Sequence, residues 1–67
     1  ADSIQKKIKK ALAELSSDFR TMIILRDIQE LSYDEISKIM DVPLGTVKSR
    51  INRGRLQLQE LLRKKGV

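Results

Sequence analysis

Apolar residues recur at intervals of three and four along most of the chain, and polar interruptions divide this pattern into four predicted helices. The first helix is predicted to follow an N-cap at Ser3. Its apolar stripe consists of Ile4, Ile8, Ala11, Leu12 and Leu15. A polar run at 16–18 predicts the start of a second helix, near Ser17 to Glu30. Apolar residues lie on nearly all sides of this second helix, as expected of a central helix that its neighbours cover.

A capping signal marks the third helix. Ser32 and Glu35 form the S-x-x-E pattern of a capping box, which predicts a helix from about Tyr33 to Met40. A tight turn is predicted next, because Asp41 tolerates left-handed backbone and Pro43 can open a helix at its first position.

The fourth predicted helix begins at Pro43 or Leu44 and continues to Lys64. Its inward seam consists of Leu44, Val47, Ile51, Gly54, Leu58 and Leu61. The third and fourth helices are predicted to close over a small core formed by Ile36, Ile39, Met40, Val42, Val47 and Ile51. Residues 32–64 therefore have the layout of a helix-turn-helix, whose second helix lies in the DNA major groove.

Charge is distributed unevenly along the 67 residues, whose net charge is +5. Segment 1–15 carries four lysines against two acidic residues, segment 16–43 carries six acidic residues against three basic ones, and segment 44–67 carries seven basic residues against one acidic residue. A positive stripe on one long helix is typical of a protein with a polyanionic partner, although it also fits a solvated helix. The position of the stripe on the predicted recognition helix favours nucleic acid.

Composition excludes several other functions. The chain has no cysteine and no histidine, which removes disulfides, Ser-His and Cys-His catalysis, and nearly every zinc site. We expect no enzyme activity, no cofactor and no metal, because Asp34, Glu35 and Asp41 lie on a short segment without a nucleophile–base pair. Phe19 and Tyr33 are the only aromatic residues, which argues against stacking on single-stranded nucleic acid.

A membrane location is also disfavoured. No apolar run approaches the roughly 20 residues that span a bilayer. The basic amphipathic first helix could lie on a membrane surface, but its apolar stripe has no aromatic anchor. We therefore expect a cytoplasmic protein without a membrane partner.

The run SYDEISKIMDVPLGTVKSRINRGR closely resembles the helix-turn-helix of region 4 in bacterial sigma factors, and the extracytoplasmic-function (ECF) group is the best match. The upstream run ALAELSSDFRTMIILRDIQELSYDEI fits the same module, so the resemblance covers about residues 8 to 62. Three residues depart from the usual pattern: Asp41 replaces a common glycine, Ser37 a common alanine, and Leu56 a usually polar residue. The resemblance implies an all-α, winged-helix-like region 4 domain of four helices, without a sheet, over residues 1–67.

The resemblance also implies partners. Region 4 binds the −35 promoter element as duplex DNA, docks on the flap-tip helix of the RNA polymerase β subunit, and is often masked by an anti-sigma factor. We expect this chain to be region 4 alone and to act as a monomer. It would then recognise the upstream element without the promoter-melting region that starts transcription.

Helical phase and the resemblance together predict the contacts. We expect base contacts from Lys48, Ser49, Asn52 and Arg53. We expect phosphate contacts from Arg26, Tyr33, Gly45, Thr46, Arg50 and Arg55. We expect partner docking through Leu56, Leu61 and Leu62.

Competing interpretations remain open for some of these residues. Thr46 could act as a helix cap, Tyr33 as a core residue, and Arg50 as the partner of an internal acidic residue. Asn52 could approach only the sugar-phosphate backbone, and Arg53 could be idle surface.

Two other functions are compatible with parts of the pattern. One is the DNA-binding domain of a response regulator, which binds operators as a dimer and shares the turn pattern but not the SRINR run. The other is a protein-interaction module whose basic helix binds an acidic partner, a description that anti-sigma binding would also satisfy.

Overall fold

The computed structural model describes residues 2–66 and consists of four helices joined by short connections. Helix α1 spans Asp2–Glu14, and α2 spans Ser17–Ile23 and continues as a π-helical segment over Ile24–Ile28. Helix α3 spans Tyr33–Met40, and α4 spans Leu44–Lys64. No strand occurs within residues 2–66, so the prediction of an all-α domain with four helices is confirmed.

The core lies where α2 and α3 pack against the first half of α4. Four of its side chains have no exposed surface: Met22, Ile36, Val47 and Ile51. Half-buried residues surround these four: Leu25, Leu31, Tyr33, Met40 and Val42. Together they hold α3 against α4, which is the pairing that a helix-turn-helix requires.

One predicted core residue, Ile39, and one apolar residue of the second helix, Ile28, lie outside this core. Ile39 is 59% exposed, because α3 has only eight residues and buries the single face centred on Ile36. Ile28 is 62% exposed, because it ends the π-helical segment, where the chain leaves the bundle. The prediction that α2 is covered on nearly all sides is therefore wrong at its end.

Helix α1 packs by its C-terminal half. Ala11 and Leu15 are buried, whereas Ile4 in the predicted stripe is exposed. The helix begins at Asp2, so Ser3 lies in its first turn and is not the N-cap.

The end of the second helix differs from the prediction of Glu30. The α-helical pattern stops at Ile23, and the N–H of Gln29 donates to the carbonyl of Ile24, a π-type bond of 3.0 Å. Glu30 then adopts a left-handed backbone with φ 58°, which reverses the chain direction. Such a conformation usually favours glycine or asparagine, so the residue type at 30 does not signal it.

The predicted caps of α3 are confirmed. The Ser32 hydroxyl accepts from the Glu35 N–H, and the Glu35 carboxylate accepts from the Ser32 N–H, both at 3.1 Å. These bonds from Ser32 lower the pKa of Glu35 below its usual value, because they favour the charged form. Asp41 ends the helix in the left-handed region with φ 55°. Helix α4 begins at Leu44, the second of the two predicted starting residues, and Pro43 is its N-cap and not its first helical residue.

Candidate nucleic-acid interface

The outer face of α4 carries the residues predicted to contact bases. Lys48, Ser49, Asn52 and Arg53 are all exposed, and they span less than two helical turns. Their buried counterparts on the opposite side are Val47, Ile51 and Gly54. This division places a continuous polar surface outward, on the helix that a helix-turn-helix inserts into a major groove.

The cations of this surface have no salt-bridge partner in the part of the chain that the structure describes. Among the described side chains, no acidic group lies within salt-bridge distance of Lys48, Arg50 or Arg53. The alternative that Arg50 pairs with an internal acidic residue is therefore wrong for the described side chains. Their positive charge is available to an external anion.

The N-terminus of α4 adds backbone donors. The first hydrogen bond of the helix runs from the Val47 N–H to the Pro43 carbonyl, at 3.1 Å. The N–H groups of Gly45 and Thr46 therefore precede the helical ladder, at the positive end of the helix dipole. Gly45 is exposed and a Cβ there would meet no atom within 4 Å, so the approach to this helix end is open. Pro43 is the N-cap, so Thr46 does not occupy the cap position.

Three of the residues predicted to contact phosphate make contacts within the protein. They are Arg26, Tyr33 and Arg55. The Arg26 guanidinium donates to the Leu31 carbonyl at 2.9 Å and lies over the Tyr33 ring, 4.8 Å from the centroid. Arg55 donates from Nε to the Asp27 carboxylate at 3.1 Å and from Nη2 to its second oxygen. This bond to Asp27 raises the pKa of Arg55 above its usual value, because it favours the charged guanidinium. Tyr33 is half-buried against the core, so it supports the fold as well.

The contact of Asp27 with Arg55 was not predicted from the sequence. Its carboxylate pairs with a guanidinium 28 residues away, and no local pattern connects the two. Only the packing of the α2 end against α4 brings them together.

The predicted docking leucines occupy the far half of α4. Leu56 is 64% exposed, which confirms its predicted outward position. It borders an open groove of about 370 Å³ together with Glu14, Gln57, Glu60 and Leu61. Leu62 is half-buried and does not line this groove. The contribution of Glu14 could not be foreseen, since it depends on how α1 packs; a salt bridge from Lys65 to Glu14, at 3.1 Å, marks this contact.

Other kinds of site have no counterpart in the described part of the chain. Residues 3–66, whose side chains the structure describes, contain no group of three or more acidic, cysteine or histidine side chains placed to hold a metal ion. None of the helices within the same range is both long and apolar enough to cross a membrane.

Comparison with known proteins decides the family. The family model described as sigma-70, region 4 matches residues 5–58, which include all of α2, α3 and the recognition surface. The chain belongs to the sigma-70 region 4 family. It is therefore a sigma-factor DNA-binding domain, and the response-regulator alternative is set aside.

Named relatives place this region 4 in the ECF group. The chain is 49% identical over 57 residues to the ECF RNA polymerase sigma factor SigE of Mycolicibacterium smegmatis, a match covering 85% of this chain and 22% of the relative. It is 48% identical over 63 residues to the ECF RNA polymerase sigma factor SigW of Bacillus subtilis, covering 94% of this chain and 32% of the relative. It is also 40% identical over 61 residues to the RNA polymerase sigma-H factor of Pseudomonas aeruginosa, covering 91% and 32%. The chain thus spans a third or less of these relatives.

Proposed function

We propose that this region 4 domain recognises the −35 element of promoters as duplex DNA and docks on RNA polymerase during transcription initiation. The observation that carries the proposal is the outer face of α4, where exposed polar residues accompany three cations without internal partners among the described side chains. Because these cations are unpaired there, their charge is left for DNA phosphates and base edges.

In the proposed complex α4 lies in the major groove. Arg53 and Lys48 are long enough to donate to guanine O6 and N7, Asn52 can pair with adenine, and Ser49 can bond to either base type. Arg50, which lies nearer the buried seam, is proposed to reach only phosphate. The open N-terminus of α4 adds the backbone N–H groups of Gly45 and Thr46.

The second half of the domain is proposed to bind protein. The groove beside Leu56 and Leu61 is lined mainly by apolar surface, and Leu56 is too exposed to serve the core. The flap tip of the RNA polymerase β subunit and an anti-sigma factor are the proposed partners, and Leu62 remains a predicted contact. Masking by an anti-sigma factor would make the domain a protein-interaction module as well as a DNA reader. The proposal includes action as a monomer in the cytoplasm, without catalysis or a cofactor.

Salt dependence tests the DNA part of the proposal. About four to six phosphate contacts should give a slope of about −4 to −5 when log affinity is plotted against log salt concentration. Fluorescence anisotropy with a promoter duplex and a scrambled duplex of equal length measures the slope and the specificity together. An affinity that stays constant between low and moderate salt would contradict the proposal. A pulldown with the polymerase flap tip tests the docking part separately.

A further inference from the structure

The ion pair between Asp27 and Arg55 connects the end of α2 to α4 at the edge of the proposed DNA surface. Arg55 binds the carboxylate side-on, with Nε on one oxygen and Nη2 on the other. Both side chains remain open to solvent, since 38% of Asp27 and 42% of Arg55 is exposed. The pair is therefore a surface clamp and not a buried structural bridge.

The clamp leaves part of the guanidinium available. A guanidinium has five N–H donors, and the two bonds to Asp27 use one from Nε and one from Nη2. Three donors remain, one on Nη2 and two on Nη1. Tyr33 lies beside this guanidinium and can accept one of these bonds, which leaves at least two donors for another acceptor. Arg55 can therefore hold Asp27 and donate to a phosphate oxygen at the same time.

Helical phase puts Arg55 on the flank of the proposed DNA surface. Lys48, Asn52 and Arg55 follow one another at spacings of four and three residues, so they form one stripe along α4. Arg55 lies one turn beyond Asn52 on that stripe. In the proposed complex, with the first turns of α4 in the major groove, Arg55 would face the flanking phosphate backbone.

We propose that Asp27 is a positioning residue for DNA binding: it holds the Arg55 guanidinium so that the remaining donors meet a backbone phosphate. This inference rests on the proposed function. An unclamped arginine would lose side-chain freedom when it binds, whereas the clamped one has already lost much of it. Asp27 acts through Arg55 and does not touch DNA itself.

A double-mutant cycle tests the inference. Asp27→Asn, Arg55→Ala and the double variant are titrated against the same promoter duplex at one salt concentration. Removal of a negative charge strengthens duplex binding generally, and this effect is common to the wild-type and Arg55→Ala backgrounds. Positioning exists only when Arg55 is present. In each background, the affinity with Asp27→Asn is divided by the affinity without it. We expect this ratio to be about three- to tenfold lower in the wild-type background than in the Arg55→Ala background.

Two results would overturn the inference. Equal effects of Asp27→Asn in both backgrounds would mean that the clamp has no role in binding. A larger gain of affinity with Arg55 present would mean that Asp27 competes with DNA for the guanidinium. The Asp18→Asn variant is the charge-matched control, because Asp18 is exposed and has no salt-bridge partner among the described side chains. It should give the general charge effect alone.

Further measurements separate binding from folding. Thermal unfolding of each variant without DNA reports any structural role of the clamp, and the affinity coupling should persist among variants that are fully folded at the assay temperature. Arg55→Lys keeps the charge but cannot bind the carboxylate side-on, so it should lose most of the coupling between positions 27 and 55. It replaces Arg55→Ala in the cycle if the double variant fails to fold. A wild-type chain that binds no duplex would overturn the proposed function itself. Wild-type binding that Arg55→Ala leaves unchanged would overturn only this inference.

Discussion

The two halves of α4 differ in how their basic side chains are engaged. In the first half, up to Gly54, the cations have no salt-bridge partner among the described side chains. Between Arg55 and Lys65, the C-cap of α4, three of the four basic residues pair with an acidic residue. The pairs are Arg55 with Asp27, Arg63 with Glu60, and Lys65 with Glu14.

This difference separates two uses of one basic helix. Exposed ion pairs contribute little to stability, about 0 to 1 kcal/mol each, so the pairs of the second half mainly orient side chains. Two of them also connect this end of the chain to α2 and α1, through Asp27 and Glu14. The unpaired cations of the first half keep their full attraction for an external anion. Segment 44–67 carries seven basic residues and one acidic residue, and this charge pattern by itself does not reveal the division.

Gly54 marks the boundary between the halves, and its substitution should have the largest effect on stability. A Cβ at this position would lie 2.8 Å from Cδ1 of Ile23 and 3.3 Å from Cβ of Phe19. Gly54→Leu should therefore overpack the contact between α2 and α4 and lower the free energy of unfolding by about 2–3 kcal/mol. Gly45→Leu is the matched control in the same helix, because Gly45 is exposed and nothing lies within 4 Å of its added Cβ. Urea unfolding of both variants checks the prediction, and a Gly54→Leu variant as stable as wild type would contradict it.

Arg53→Ala tests whether the first half contacts bases. Arg53 is exposed on the outer face, one turn beyond Ser49, where a long side chain can reach a base edge. The substitution should cost about 1–3 kcal/mol of binding free energy on the matched duplex and relax preference at one or two base pairs. Titrations against matched and scrambled duplexes measure both effects. An equal loss on the two duplexes would make Arg53 a phosphate contact.

Arg50→Ala sharpens the same comparison within the first half. Arg50 is half-buried and lies nearer the seam, so we expect it to reach only the DNA backbone. Its loss should weaken matched and scrambled duplexes alike and make the salt slope shallower by about one unit. Loss of affinity on the matched duplex alone would assign base recognition to Arg50.

Leu56→Glu should have the smallest effect on folding and DNA binding, and it tests the second half. Because 64% of Leu56 is exposed, the added carboxylate stays in water, and the free energy of unfolding should change by no more than about 0.5 kcal/mol. Duplex affinity should fall only by the general effect of one added negative charge, whereas binding to the polymerase flap tip or an anti-sigma factor should weaken further. Unchanged binding to both proteins would remove the groove from the proposed docking surface.

Local patterns in the sequence determined much of the recognition unit. The capping box at Ser32 and Glu35, the left-handed turn at Asp41 and the outward position of Arg53 all depend on residues within a few positions of one another. Backbone hydrogen bonds of caps and the 3.6-residue period act over that range, so these features can be predicted without knowledge of the tertiary structure.

Other features were decided only by tertiary structure. The sequence predicted that Ile39 is buried, but the short helix α3 buries only one of its faces and leaves Ile39 exposed. The sequence also predicted a regular helix to Glu30, but the chain forms a π-helical segment from Ile24. The clamp of Arg55 by Asp27 joins residues 28 positions apart. Each depends on which surfaces the helices place against one another, and helical period specifies the direction of a side chain from its own axis but not the neighbour it meets.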